Sequence, residues 1–202
     1  MAEPVAAPTT APTTARLRAK AERRAALLTA AATLFARHGF DGVSIEDLGS
    51  SAGVSGPAVY RHFRSKQAVL GALLVEVSER LLTGGRAVVA STPDAAAALA
   101  ALVRFHVDFA LAEPDVIRVQ DRDLAALSDL DRDAVRDLQR RYVEVWVDVL
   151  TRLHPTVDRA ELRLRAQATF GLMNSTPHSA RSLTGARTRT VLEQMALAAL
   201  GR

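Results

Sequence analysis

The sequence predicts an all-helical protein of about nine helices, and three observations point to that fold class. From residue 16 onward, apolar residues recur at intervals of three and four, which is the spacing of one helix face. No run of alternating β-branched residues, the pattern of a half-buried strand, interrupts them. Hydrophobic residues make up 49% of the 202 residues, so the chain can bury a core.

The N-terminal segment differs from the rest of the chain. Residues 1–15 are rich in alanine, proline and threonine and have no apolar period, which predicts a disordered tail. They also lack the basic start and apolar run of a secretion signal. A first helix is expected over residues 16–38, with Gly39 as its terminator.

Serines mark the starts of the next three helices. Ser44 precedes two acidic residues, which is a typical N-cap pattern, and that helix should stop at Gly53. Ser55 caps a third helix and Ser65 a fourth, which should run toward Gly84–Gly85.

Residues 16–66 are therefore expected to form an N-terminal domain and residues 67–202 a second helical domain. Proline, glycine and capping residues divide the remainder into five more helices. Their expected spans are about 92–111, 114–130, 131–153, 158–183 and 187–200.

The excess positive charge lies in the N-terminal domain. Residues 16–66 hold nine lysines and arginines and four acidic residues, whereas residues 67–202 hold seventeen of each sign. A basic segment on a neutral body indicates an anionic polymer as partner, nucleic acid before a membrane surface. A soluble basic face without a partner is the alternative.

Residues 44–63 have the spacing of a helix-turn-helix, in which the second helix lies in the DNA major groove. Leu48, Val59 and Phe63 would pack the angle between the two helices, and the small Gly49 would allow their close approach. Two helices in an ordinary bundle would explain these apolar positions equally well. They would not explain the hydroxyl and basic side chains that are gathered in the same segment.

The basic segment contains the run LFARHGFDGVSIEDLGSSAGVSGPAVYRHFRSKQAVL, with the elements AGVS, YRHF and SK in that order. This run resembles the DNA-binding segment of TetR-type (tetracycline-repressor-like) regulators over about residues 17–75. The resemblance implies a ligand-responsive repressor that binds a palindromic operator as a homodimer. Two features depart from the family pattern: Gly49 stands where alanine is usual, and the recognition helix begins with the apolar residues 56–58.

Lys66 and the N-terminus of the fourth helix are expected to bind a phosphate, and Ser44 to do the same at the second helix, although capping alone would explain this serine. The family motif implies that Tyr60 donates to a phosphate, with half-buried packing as the alternative. Arg61 and the start of the recognition helix are placed for base edges, and Arg61 could read guanine or bind a phosphate. His62 is either a phosphate donor or a packing residue. The candidate DNA-binding residues are Ser44, Ser55, Gly56, Pro57, Ala58, Tyr60, Arg61, His62 and Lys66.

The second domain is expected to bind a small effector. The segment FGLMNSTPHSAR resembles regulators of fatty-acid, branched-chain or steroid breakdown that sense acyl-CoA thioesters. This resemblance implies an apolar or acyl-CoA effector, with Arg118 and Arg122 as candidate phosphate contacts. Ordinary core packing is the alternative for each aromatic residue. The candidate effector-binding residues are Phe105, Phe109, Tyr142, Trp146, Phe170, Asn174 and His178.

The last two predicted helices each present an apolar face, and two such helices from each protomer could form a four-helix bundle. The alternative is that both faces belong to the internal core. The candidate dimer-interface residues are Leu162, Ala166, Phe170, Met173, Val191, Leu192, Met195 and Ala199.

Signatures of an enzyme are absent from the sequence. It contains no cysteine, no Gly-rich phosphate loop, no GxSxG and no pair of histidines at helical spacing, so we expect no catalytic residue, metal or cofactor. The missing cysteines and the lack of a membrane span fit a cytoplasmic protein without a membrane partner. A ligand-independent nucleoid protein is the alternative, and uniform coating of DNA would distinguish it from a regulator with a palindromic footprint.

Overall fold

The structure is a computed structural model that describes residues 11–179 and 183–201. No strand occurs in these ranges, and the all-helical fold class is confirmed. Ten α-helices and a short 3₁₀ segment lie within the described residues. Their bounds are α1 Ala11–His38, α2 Ile45–Ser51, α3 Gly56–Val59, α4 Lys66–Ala90, α5 Ala95–Ala112, α6 Pro114–Asp123, the 3₁₀ segment Leu124–Ala126, α7 Asp129–Leu153, α8 Arg159–Met173, α9 Thr176–Ser179 and α10 Gly185–Leu200.

Helix α1 begins at Ala11 rather than at Arg16, so residues 11–15 belong to the helix and not to a disordered tail. Pro12 falls in the first turn, where the N–H that proline lacks has no helical partner in any case. Residues 1–10, the rest of the expected tail, lie outside the described residues. The helix ends as predicted at Gly39, whose φ is +79°.

Two apolar cores follow one another along α4. The first joins α1, α2, α3 and the N-terminal half of α4, and includes Val116 and Val119 of α6. The second is formed by α5, α7, α8 and α10, with Leu82 of α4. Helix α4 therefore connects the helix-turn-helix with the C-terminal bundle, and α6 also contacts both parts of the molecule.

Helix α4 does not end at Gly84–Gly85, as the sequence pattern predicted, but continues to Ala90. Both glycines lie inside the helix, at positions where neighbouring aromatic rings approach its backbone and leave no room for a side chain. A Cβ atom on Gly84 would lie 2.4 Å from Cζ of Phe105, and one on Gly85 would lie 2.6 Å from Cε2 of Tyr142. These glycines therefore allow close packing and do not terminate the helix.

The predicted helix over residues 158–183 is divided into α8 and α9. The break follows Met173 because Pro177, four residues later, has no N–H to donate to the Met173 carbonyl. The Thr176 hydroxyl donates to the Ala110 carbonyl at 2.7 Å, which ties the break to α5. Helix α6 ends at Asp123 rather than near residue 130, and the 3₁₀ segment follows it. Ser128 then caps α7 by accepting from the Asp131 N–H at 3.2 Å.

Helix α5 is long enough and apolar enough to span a membrane, if length and composition are the only criteria. In the structure it is a core helix of the C-terminal bundle, with Ala98, Leu102 and Val103 completely buried among the surrounding helices. It also contains three polar residues, Arg104, His106 and Asp108, in its second half.

Candidate DNA-binding and effector sites

Helices α2 and α3 form the helix-turn-helix that the spacing predicted. Leu48 and Val59 are fully buried between them, and Gly53 turns the chain with a φ of +69°. A Cβ atom on Gly49 would lie 2.8 Å from the Val54 carbonyl oxygen. The absence of a side chain at Gly49 therefore permits the close approach of α2 to the turn.

Ser44 and Ser55 occupy equivalent N-cap positions but differ in what their hydroxyls bind. The Ser44 Oγ accepts from the Asp47 N–H at 3.1 Å, and the Ser44 backbone N–H donates to the Asp47 carboxylate at 2.9 Å, which completes a capping box. The Ser44 hydroxyl also donates to that carboxylate at 2.6 Å. These hydrogen bonds lower the pKa of Asp47. Ser55 makes no capping hydrogen bond with its side chain and is exposed, so its hydroxyl is available to a partner.

The outer surface of α3 and the following turn carries the exposed candidate residues. Tyr60 is 56% exposed, and Pro57 and Arg61 are also exposed, whereas Gly56 and Ala58 are half-buried. The exposure of Tyr60 argues against the alternative in which it packs as a half-buried aromatic. This surface presents hydroxyl, guanidinium and small apolar groups together, which is the chemistry of base-edge and phosphate contact.

Lys66 was expected to bind a phosphate, and in the structure its ammonium group also makes contacts within the protein. Its Nζ donates to the carbonyls of Phe40 at 2.7 Å and Val43 at 2.8 Å, and lies 4.4 Å from the centre of the Phe40 ring. Two of the three ammonium protons are therefore engaged within the protein. The lysine holds the loop between α1 and α2 against the start of α4.

His62 is half-buried beside Phe63. Its Nδ1 atom is buried and finds no hydrogen-bond partner among the described residues, and its ring contacts Phe63 with 6.5 Å between ring centres. Burial, followed by the positive charge of neighbours that include Lys20 and Arg23, lowers the pKa of His62. The structure therefore favours a neutral imidazole at this position.

A cavity of about 190 Å³ lies within the C-terminal bundle, and we call it the inner cavity. It is bounded by α4, α5, α6, α7 and α8. Four of the predicted effector residues, Phe109, Tyr142, Phe170 and Asn174, line it. The other lining residues are Ser78, Leu81, His106, Ile117, Gln120, Gln139, Val143 and Gln167.

The remaining three candidates do not line the inner cavity. Trp146 is fully buried behind it, with its ring centre 5.0 Å from that of Phe170, and Phe105 packs against Gly84 of α4. His178 is exposed on α9. Tertiary packing decides whether such residues line the cavity. Their aromatic or polar character alone could not distinguish a cavity-lining residue from a core or surface residue.

His106 is one of the cavity-lining residues that were not predicted from the sequence. Its Nε2 lies 3.0 Å from Oδ1 of Asn174, and its Nδ1 lies 3.3 Å from the Tyr142 hydroxyl. Since an amide oxygen only accepts, Nε2 carries the proton and Nδ1 accepts from the tyrosine. Burial lowers the pKa of His106 to about 4, so the ring is neutral near pH 7. The only available signal was its position between two aromatic residues of an apolar helix.

Arg118 and Arg122, the candidate phosphate contacts, are both engaged within the protein. Arg118 donates to the Pro177 carbonyl at 3.0 Å. Arg122 donates to the Phe35 carbonyl at the end of α1 and pairs with the buried Asp123 at 2.9 Å. Arg122 therefore joins α6 to α1, which is a different role from the one expected.

Part of the expected dimer face is internal to the protomer. Leu162, Ala166, Met173 and Leu192 are buried in the second core, because α8 and α10 pack these residues against α5 and α7. Phe170 is half-buried and lines the inner cavity.

The outward faces of the same two helices carry the exposed apolar residues. Leu164 is 65% exposed on α8 and Met195 is 51% exposed on α10, with Ala199 one turn further along α10 and also exposed. Val191 is half-buried on α10. Exposed apolar side chains are therefore present on the outer faces of both helices.

Comparison with known proteins adds two sequence-profile matches. A profile described as bacterial regulatory proteins, tetR family, matches residues 27–73. A second profile, described as the tetracyclin repressor-like C-terminal domain, matches residues 92–178. Together the two matches cover about two thirds of the chain.

Two characterised regulators and one solved structure are similar to the chain. The transcriptional repressor KstR2 of Rhodococcus jostii is 30% identical over 129 residues, which are 63% of this chain and 63% of KstR2. The transcriptional activator FasR of Mycolicibacterium smegmatis is 35% identical over 88 residues, which are 44% of this chain and 40% of FasR. The chain thus spans less than two thirds of the length of each of these relatives. A TetR-family regulator from Bordetella parapertussis matches with a TM-score of 0.75 and 25% identity, covering 86% of this chain and 93% of that one.

Proposed function

The chain belongs to the TetR family of bacterial regulatory proteins, and we propose that it is a cytoplasmic transcriptional repressor, released from its DNA operator by a small ligand. One observation carries this proposal: an exposed recognition helix and a cavity in the C-terminal bundle are joined by the single continuous helix α4. The repressor KstR2, which is similar over a larger share of the chain than the activator FasR, supports repression as the sign of the effect.

Binding to DNA would use two copies of α3, one from each protomer of a homodimer. Their separation should match one turn of DNA, on the order of 34–36 Å, so that both enter successive major grooves of a palindrome. We propose that Arg61, Pro57 and Ser55 read base edges and that Tyr60 donates to a phosphate. Lys66 would contribute by holding the loop that positions α2.

Release by a ligand would use α4 and α6, because both helices line the inner cavity and both contact the DNA-binding domain. Leu81 of α4 and Ile117 of α6 lie at the cavity wall. On the side of the DNA-binding domain, α4 begins at Lys66, and Arg122 of α6 donates to the Phe35 carbonyl of α1. A ligand that favours a displaced α4 or α6 would tilt the two α3 helices away from the spacing of the grooves. A coupling of roughly 1–3 kcal/mol would weaken operator binding about 5- to 150-fold.

Selection of genomic DNA fragments by the purified protein tests this function. We expect enrichment of a single palindromic motif and an affinity that falls steeply with salt, because several phosphates are neutralised. Equal affinity for that motif and for its scrambled version at physiological salt would overturn the proposal. Uniform coating of any duplex would favour a nucleoid protein instead.

Substitutions on α3 test the division between positioning and base recognition. Tyr60→Phe should weaken binding to all duplexes to a similar extent, since a phosphate contact carries no sequence information. Arg61→Ala should change the preference among operator variants by roughly 1–3 kcal/mol at one base pair, and Pro57→Ala should act in the same way at another. Competition binding with a set of single-base operator variants measures both effects. A change of base preference with Tyr60→Phe but not with Arg61→Ala would reverse these roles.

A further inference from the structure

A second concavity adjoins the inner cavity. It has a volume of about 800 Å³, lies between the C-terminal half of α4 and helices α7 and α8, and is called here the arginine groove. The two concavities share Val143 of α7 and Gln167 of α8 as lining residues. They are therefore neighbouring compartments.

The inner cavity is lined by uncharged side chains. None of the lining residues that the structure describes is Asp, Glu, Lys or Arg. Its histidine uses both ring nitrogens in hydrogen bonds to Tyr142 and Asn174 and is neutral. This compartment suits an uncharged, mainly apolar part of a ligand, because an isolated charge would lose its hydration there without a partner.

The arginine groove has the opposite character. Its lining includes Arg86, Arg140, Arg141 and Arg163. Arg86 is exposed and has no ion-pair partner among the described residues.

The carboxylates of the groove are shared between arginines. Arg140 and Arg141 both pair with Asp137, at 3.0 and 3.5 Å. Glu144 accepts from Arg163 at 2.7 Å and from Arg159 at 2.8 Å. A third carboxylate of the lining, Asp148, pairs with Arg159 at 2.6 Å. Four lining arginines against three carboxylates leave a surplus of one guanidinium group, and such groups form bidentate hydrogen bonds with carboxylate and phosphate. Exposed ion pairs of this kind are weak and can be exchanged for an anion of the ligand.

Helix geometry gives the length of a ligand that would fill both compartments. Along α8, Arg163 lies in the groove, Gln167 at the junction and Phe170 in the inner cavity. Seven residues at a rise of 1.5 Å place the two ends roughly 10 Å apart. A volume of about 190 Å³ holds roughly six groups of the size of water, or a similar number of methylene groups.

We propose that the effector is an amphipathic organic anion, with an apolar end of roughly six carbons in the inner cavity and its anionic head in the arginine groove. The inference rests on the proposed function for its role in regulation, but the binding mode is independent of DNA. A carboxylate and the phosphates of an acyl-CoA share the chemistry that the arginines recognise. A neutral compact molecule would use only the inner cavity.

Direct binding of three probes to the full-length protein, measured without DNA, tests the proposal. The probes are octanoate, its neutral analogue octanamide, and octanoyl-CoA. Trp146 is the single tryptophan of the chain and packs against Phe170, so its fluorescence reports occupancy of the inner cavity. We expect octanoate or octanoyl-CoA to bind at least about tenfold more tightly than octanamide, because one hydrogen bond to a charged group raises the affinity by about that factor. Tighter binding of octanoyl-CoA identifies a phosphorylated head, and tighter binding of octanoate identifies a free carboxylate.

Matched variants assign the head to the groove. The double variant Arg86→Ala/Arg140→Ala should weaken binding of the preferred anion about tenfold and leave octanamide unchanged. Arg104→Ala removes an exposed arginine of α5 that lines neither concavity, and it should leave all three affinities unchanged. Equal affinities for octanamide and both anions, no binding of either anion up to millimolar concentration, or equal effects of the two arginine variants would overturn the proposal.

A separate measurement distinguishes this inference from the proposed function. The anion that binds is titrated into the complex of the protein with its selected operator. Binding that follows the expected pattern without release of the operator supports the binding mode and contradicts ligand-released repression by this anion. Release together with binding supports both.

Discussion

At the scale of single residues, His106 shows how burial sets a protonation state. The ring lies between Tyr142 and Asn174 within the inner cavity wall, and burial lowers its pKa from 6.5 to about 4. In the unfolded chain the imidazole regains its ordinary pKa. Between pH 6.5 and pH 4, the unfolded state therefore binds a proton that the folded state does not.

Stability should consequently fall as the pH is lowered through this window. The expected loss is about 1.4 kcal/mol per pH unit and about 3 kcal/mol by pH 4, and this contribution is fully present only above pH 6.5. Urea unfolding at pH 7.5 and pH 4.5 measures it. The wild type should lose about 2 to 3 kcal/mol more than His106→Gln over that interval. Parallel losses in the two proteins would contradict the neutral assignment.

Lys66 gives a second prediction at this scale, because it acts inside the protein. Lys66→Met leaves the Phe40 and Val43 carbonyls without their donor, and we expect a loss of about 1 to 3 kcal/mol in the free energy of unfolding. The slope of log affinity for DNA against log salt should change little. The control, Arg64→Met, removes an exposed charge of the same domain and should leave the free energy of unfolding unchanged. The reverse pattern would make Lys66 a phosphate ligand.

At the scale of elements, α4 depends on two glycines for its contacts with α5 and α7. The Tyr142 ring is buried and cannot move away from a methyl group at position 85 without disturbing His106. Overpacking of this kind costs about 1 to 3 kcal/mol and should outweigh the gain of about 1 kcal/mol that alanine brings to a helix interior.

We therefore expect Gly85→Ala to lower the free energy of unfolding and to change the environment of Trp146. Chemical denaturation and tryptophan fluorescence measure the two effects. Ala87→Gly, at an exposed position of the same helix, isolates the propensity effect and should cost about 0.5 to 1 kcal/mol without a fluorescence change. A stabilised Gly85→Ala protein would show that the Tyr142 contact is absent in solution.

At the scale of the whole molecule, the outward faces of α8 and α10 should determine the oligomeric state. Leu164 is largely exposed in the isolated chain, so Leu164→Arg should leave the protomer folded while placing a charge in the proposed dimer interface. We expect a dimer for the wild type and a monomer for this variant by light scattering, with operator binding weakened at the same time. Leu130→Arg, at a more exposed leucine of α7, should remain dimeric. A dimeric Leu164→Arg protein would move the interface elsewhere.

Local signals explain which features the sequence predicted correctly. The Ser44 cap and the turns at Gly39 and Gly53 depend on residues within a few positions of each other, so residue type is enough to locate them. The internal contacts of Lys66 were not predicted because its acceptors lie 23 and 26 residues away. His106 was missed because its hydrogen-bond partners lie 36 and 68 residues away. No pattern of residue types within α4 or α5 specifies such partners.

By itself the sequence determined the helical fold class, the helix-turn-helix and its basic charge, because periodicity, capping and composition act over one or two helical turns. Only the tertiary structure decided which apolar faces are covered within the protomer and which remain outside. Leu162 and Leu164 are both leucines of α8, yet one is buried and the other is 65% exposed. The same holds for the inner cavity and the arginine groove, since each is formed by helices distant in the chain. The physical reason is that the burial of a side chain depends on which other residues pack against it. Residue type specifies only how much free energy is gained when that side chain is buried.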